Sequence, residues 1–164
     1  MSDGTEAPRV VFLIQSLGVG GAEAQLVHLA TGLEDHEIKG HRLLISAIAM
    51  LRDRFPSATF VLVGLDVDDG NTELTAAIGD AGLESRVRLL GLRNDIPQLT
   101  AAFDLAVLSS RAESFPNVVA EAMACEVPVV ATDVGDCAAI IGDTGIVCRY
   151  GDPDALAAGI MYAA

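Results

Sequence analysis

From residue 58 onward, short apolar runs alternate with stretches of helical spacing, and this alternation leaves few architectures open. The runs ATFVLV (58–63), RVRLL (86–90), DLAVL (104–108), VPVVA (127–131) and IVC (146–148) are strand-like and bounded by Gly, Asp and Asn. Helical pattern fills most of the intervals. One helix is predicted over 71–82 with Gly82 as its stop, and one over 96–103 capped by Asp95 with Pro97 in its first turn. Another starts at Pro116, and the last is capped by Asp152, has Pro153 at its first position and runs to Tyr162. TDVGD (132–136) and GDTG (142–145) read as turns. A strand that returns to the same sheet after a helix makes a right-handed crossover, so the strands are parallel.

The predicted fold class is therefore α/β: a single Rossmann-like parallel sheet with helices on both faces. Ligands of such sheets collect at the C-terminal ends of the strands. Gly64, the loop Gly91-Leu92-Arg93-Asn94, the turn from Ser109 to Glu113 and the TDVGD turn all lie on that edge.

The beginning of the chain departs from the pattern. Residues 1–8 are polar and acidic and are expected to be disordered, leaving one domain over 9–164. RVVFLIQ (9–15) reads as a buried strand, SLGVGG as a turn and 22–33 as a helix. A second helix, 40–54, then follows with no strand between. Strand, glycine turn and helix form a phosphate-loop layout, but Glu23 stands where a dinucleotide fingerprint needs its third Gly. Gly18, Gly20 and Gly21 also fit a tight strand-to-helix turn with no ligand.

The net charge of −13, from 23 acids and 10 bases, disfavours nucleic acid and anionic membrane surfaces as partners. Any phosphate site must be built locally. No apolar run approaches the roughly 18 residues of a spanning helix, and the acidic start is no signal peptide. Cys125, Cys137 and Cys148 are odd in number and follow no metal spacing, which suits free thiols in a cytoplasmic protein.

The chemistry concentrates in VLSSRAESFPNVVAEAMAC (107–125). A strand ends, a polar turn follows, and a helix begins near Pro116, with Ser110 or Ser114 available as caps. From Val118 to Cys125 only Glu121 is neither apolar nor small, so the helix is expected to be buried all round with one acid inside it. Asn117 shares the face of Glu121. Glu113 stands beside the helix's unpaired N–H groups, a setting for an anionic, hydroxyl-rich ligand. Each acid also has a plainer role: Glu113 closing a capping box with Ser110, Glu121 bonding a neighbouring loop.

The string ESFPNVVAEAMAC, followed by VPVVATDVGD and DTG, resembles the donor-binding half of retaining glycosyltransferases of the GT-B fold, with the large fourth family the nearest group. FLIQSLGVGGAEAQLVHLATGL resembles the first strand and helix of the acceptor-side domain. Residues 9–33 thus match the start of one domain and 37–164 most of the other. The resemblance implies a nucleotide diphosphate sugar as donor, a glycan or lipid-linked acceptor, no metal, and hexosyl transfer with retention. By matching position Glu113 touches the transferred sugar and Glu121 holds the ribose hydroxyls. Backbone from Ser114 and Phe115 through Pro116, Asn117 and Val118 receives the diphosphate. Lys39 is the phosphate cation, or else a solvated lysine at a helix start. The loop with Gly91, Leu92, Arg93 and Asn94 lies beside the nucleobase, with Arg93 also readable as a rim charge; Gly64 lines the same crevice, and Gly20 and Gly21 face the phosphates. Glu126 stands where the family has Gly, and an acid after the DVG turn is replaced by Ala138 or Ala139. The alternative is an inactive nucleotide-sugar-binding module or truncation remnant, or a structural fragment; a homodimer is one way to supply the missing half.

Overall fold

The computed structural model describes residues 34–113 and 115–164, with side chains from residue 40 onward. The expected strand 9–15, the glycine turn and the helix 22–33 lie outside the described residues. In chain order the elements are α1 (Glu34–Leu51), β1 (Phe60–Leu62), α2 (Thr72–Asp80), β2 (Val87–Leu89), α3 (Ile96–Thr100) and β3 (Ala106–Leu108). They continue with α4 (Asn117–Ala124), β4 (Val129–Thr132), α5 (Cys137–Ile141), β5 (Ile146–Cys148) and α6 (Pro153–Ala163). All pairings are parallel: β1 with β2, β3 with β4, and β4 with β5.

The strands form two hydrogen-bonded groups, β1-β2 and β3-β4-β5. Alternate side chains show that both groups share one layer. Phe60, Leu62, Val87, Leu105, Val107 and Val130 enter a core covered by α1, α2 and α6. Val63, Ala106, Leu108, Val129 and Ala131 enter a second core with Val118, Val119 and Ala122 of α4 and Cys137 and Ile141 of α5. Strands buried on both faces read as continuous apolar runs, which is why their sequences carry no polar alternation.

Local chemistry explains most boundaries. Asn71 accepts the Leu74 N–H at 3.0 Å, and Gly82 ends the helix with φ +65°. The Leu83 N–H then returns to Ile78 O and the Gly82 N–H to Gly79 O. Asp152 accepts the Ala155 N–H at 2.9 Å, with Pro153 beginning α6. The turn from α1 to β1 is pinned by Arg86, whose guanidinium donates to Ala58 O at 2.7 Å and to Phe55 O while lying over the Phe60 ring.

Three expectations are corrected. α1 begins at Glu34, so Lys39 is inside the helix and not at its start. Asp95 makes no side-chain cap to α3, because Arg93 takes its carboxylate. The segment between the two predicted turns forms the short helix α5, which the apolar CAAII string hid because five residues are too few to show a period. No helix among the described residues is long and apolar enough to cross a membrane.

Candidate functional site

The loops after β1 and β2 are tied together by backbone alone. Gly64 N–H donates to Gly91 O at 3.1 Å, and Gly91 N–H to Val67 O at 2.7 Å. Gly91 has φ +63°, a conformation that costs a side chain energy and glycine little. The next residue, Leu92, is 60% exposed. Arg93 donates to both Asp95 oxygens, at 2.8 and 2.6 Å. These bonds hold the Asp95 carboxyl below its usual range and push the Arg93 guanidinium up. Arg93 is thus an exposed cation already engaged with an acid on the rim.

The turn after β3 is held from both sides. Ser109 is buried, and its hydroxyl donates to Gly40 O of α1 at 2.9 Å. A Cβ on Gly40 would stand 3.0 Å from Ser109 O, tighter than most side chains accept, which accounts for a glycine inside a helix. From the other side Thr132, at the end of β4, donates to Ser110 O at 2.7 Å. Ser110 Oγ in turn donates to Glu113 Oε1 at 2.6 Å. Glu113 is half-buried and so enters a chain of contacts running from α1 through the turn to β4. Lys39 immediately precedes Gly40, which brings its backbone to this turn; its side chain lies outside the described residues.

The helix that follows is not capped as expected. Its N-cap is Pro116, buried, with φ −78° and ψ 83°, and it makes no side-chain cap bond. Ser110 therefore caps nothing in α4; its bond to Glu113 joins two side chains within the turn. The cap position of Ser114 lies outside the described residues. Backbone takes up part of the demand: Asn117 N–H donates to Phe115 O and Val119 N–H to Pro116 O, each at 3.0 Å. Phe115 is exposed.

The expectation of a helix buried all round is overturned. Val118, Val119 and Ala122 are buried, whereas Asn117, Glu121 and Ala124 are exposed. The apolar string misled because its outward positions are alanines, which accept either environment. Glu121 stands in solvent on the side it shares with Asn117, one turn on.

The turn after β4 closes the set. Asp133 N–H donates to Cys148 O at 2.7 Å, and Cys137 N–H to Val134 O at 3.1 Å. Burial pushes the Cys137 thiol up, and the carboxylates of Glu113 and Asp133 add to the effect. Glu113 therefore lies within electrostatic reach of the start of α5.

The structure thus links Glu113 through Ser110 to Thr132 and sets Gly40, the neighbour of Lys39, against Ser109, and separately joins Gly64 to Gly91. Gly20 and Gly21 lie outside the described residues. Sequence reasoning passed over Gly40, Ser109 and Thr132. A glycine inside a helical pattern was the available signal for the first, since it costs about 0.5–1 kcal/mol and usually marks a close approach.

A family model described as "Glycosyl transferases group 1" matches residues 25–163. N-acetyl-alpha-D-glucosaminyl L-malate synthase of Bacillus anthracis is 33% identical over 149 residues, 88% of this chain and 37% of that protein. D-inositol 3-phosphate glycosyltransferase of Pseudarthrobacter chlorophenolicus is 36% identical over 134 residues, 77% of this chain and 32% of that protein. Anabaena HepE, crystallised in complex with UDP, is 33% identical with a TM-score of 0.73, over 95% of this chain and 39% of that one. The chain therefore spans 37% and 32% of the lengths of these two curated relatives.

Proposed function

The chain belongs to the group 1 glycosyl transferases, and on that premise we propose that its strand-end edge binds a nucleotide diphosphate sugar for hexosyl transfer with retention at the anomeric carbon, as in the large fourth family. The observation that carries this reading is the start of α4. Its N-cap is a proline, which makes no side-chain cap bond, and Glu113 precedes it in the same turn. First-turn N–H groups and the helix dipole favour an anion at such a place, and they favour it more as a departing diphosphate gains charge.

In this reading the backbone around Phe115, Pro116, Asn117 and Val118 takes the diphosphate, with Lys39 as cation and no metal. Glu113 meets the transferred sugar and Glu121 the ribose hydroxyls. Gly64, Gly91 and Leu92 flank the base. Arg93 is kept at the rim by Asp95. The complexes of HepE with UDP and with UDP-glucose make a uridine nucleotide the first probe to use.

Calorimetric titration with UDP, GDP and ADP tests donor binding. Glu121→Ala should weaken nucleotide binding by about 1.5–3 kcal/mol, the range for hydrogen bonds to a charged group, with the fold retained. Unchanged affinity would remove Glu121 from the site. Glu113→Gln should spare UDP while weakening UDP-glucose; equal losses for both would contradict its role. A donor-binding module without transfer is the second reading. Release of UDP from UDP-glucose, measured with and without a glycan acceptor, separates the two.

A further inference from the structure

Val129, Val130 and Ala131 of β4 are buried and apolar, and Thr132, the next residue of the strand, is as deeply buried but carries a hydroxyl. A hydroxyl taken out of water costs stability unless it finds a partner. The strand register decides which partner is in reach. Toward β3 the ladder runs from Ala106 and Val129 through Val107 and Val130 to Leu108 and Ala131, and there it stops. Toward β5 it continues to Thr132 and Cys148. β4 therefore outlasts β3 by a residue, and the connection that follows the last rung is made by a side chain. Thr132 Oγ1 donates to Ser110 O at 2.7 Å and lies 3.4 Å from Leu108 O, the last carbonyl of β3.

The residue held in this way has a second task. Ser110 Oγ donates to Glu113 Oε1 at 2.6 Å, the short distance of a hydroxyl bonded to a carboxylate. A glutamate side chain otherwise samples many rotamers, and a bond to one oxygen restricts them. Ser110 is itself fixed from β4 by Thr132, while its neighbour Ser109 is tied to Gly40 O of α1. Position thus passes from the sheet to the acid through two hydrogen bonds, Thr132 hydroxyl to Ser110 carbonyl and Ser110 hydroxyl to Glu113 carboxylate. A group that must meet a bound sugar has to be held to within about 0.5 Å, and such precision comes from neighbours rooted in rigid elements.

We propose that Thr132 is a positioning residue for the donor sugar: acting through Ser110, it sets the Glu113 carboxylate against the sugar without touching the nucleotide. The proposal rests on the reading of Glu113 as the acid that meets the transferred sugar. It adds that the choice between a nucleotide and its sugar-bearing form depends on a hydroxyl buried at the end of β4, 22 residues from the turn it holds.

The test is calorimetric titration of UDP and UDP-glucose into the full chain and its variants. Thr132→Val keeps the branched shape and loses the hydroxyl. It and Ser110→Ala should each weaken UDP-glucose about fivefold or more, the worth of one hydrogen bond, and leave UDP within about twofold. Thr132→Ser, which restores the hydroxyl, should recover the parental values. Thr132→Val added to Glu113→Gln should cost nothing further, because its effect runs through the acid. Equal losses for both ligands in Thr132→Val, no loss for UDP-glucose, or a serine variant no better than the valine one overturns the proposal. A Glu113→Gln variant that binds UDP-glucose as the parent does marks failure of the donor reading itself, and the role of Thr132 at the sugar falls with it. The carboxyl carbon resonance of Glu113 in the ligand-free chain tells the two failures apart. It should move in Thr132→Val and return in Thr132→Ser, and a resonance that stays in place refutes the positional link whatever the ligands do. Should Thr132→Val fail to fold, Thr132→Ala, which adds no bulk to the strand, takes its place in both measurements.

Discussion

Helices α2 and α4 follow β1 and β3, one strand from each hydrogen-bonded group, and they begin differently but end alike. At its start α2 has Asn71, whose side chain accepts Leu74 N–H; α4 has Pro116, which offers no acceptor. At their ends both make the same pair of returning bonds, Leu83 to Ile78 O and Gly82 to Gly79 O in one, Val127 to Ala122 O and Glu126 to Met123 O in the other. The residue in the left-handed position is glycine in α2, with φ +65°, and glutamate in α4, with φ +60°. An acid there also opposes the helix dipole. The start of α2 is closed by its own N-cap side chain, whereas the N-cap of α4, the helix after Glu113, makes no side-chain cap bond. For the strain at its far end the structure offers no functional account.

Adding charge at the open end should sharpen this contrast most. Asn117→Asp, at an exposed first-turn position, should stabilise the fold by about 0.5 kcal/mol through the helix dipole. The same change should lower UDP affinity at least tenfold, about 1.4 kcal/mol. Calorimetry and urea unfolding on one preparation read both signs, and a matching loss in both would break the comparison. Next in size, Asn71→Ala should cost about 1 kcal/mol of unfolding free energy, as loss of a cap does, and leave nucleotide binding unchanged. Gly82→Ala and Glu126→Gly should move the urea midpoint in opposite directions by about 0.5–1 kcal/mol each, down for the first and up for the second.

The smallest effect concerns the turn beside α4. Burial raises the proton affinity of Cys137 and Cys148 in the folded chain, so stability from these thiols is full below their unfolded value near 8.5 and is lost as pH rises toward the folded values. Glu113→Gln removes one of the charges that reinforce this at Cys137. Its alkylation should then begin at slightly lower pH, while Cys148, where Asp152 is the added charge, stays unchanged. No change at Cys137 would separate Glu113 from the start of α5.

The alternation of apolar runs was enough to read a parallel α/β layer, and the stop at Gly82 and the cap at Asp152 were legible because each acts within its own helix. What failed to show were contacts between distant segments. Ser109 looked like a loop serine and Thr132 like the end of a strand, but their hydroxyls reach Gly40 O and Ser110 O across 69 and 22 residues. Glu121 was misplaced for a related reason: alanines at the outward positions of α4 imitate a buried helix. Asp95 had the right chemistry for a cap, and Arg93, two residues away, outcompeted the backbone for it.

Gly40 and Thr132 grip the turn at Ser109 and Ser110. The shape of that turn is thus written elsewhere in the chain.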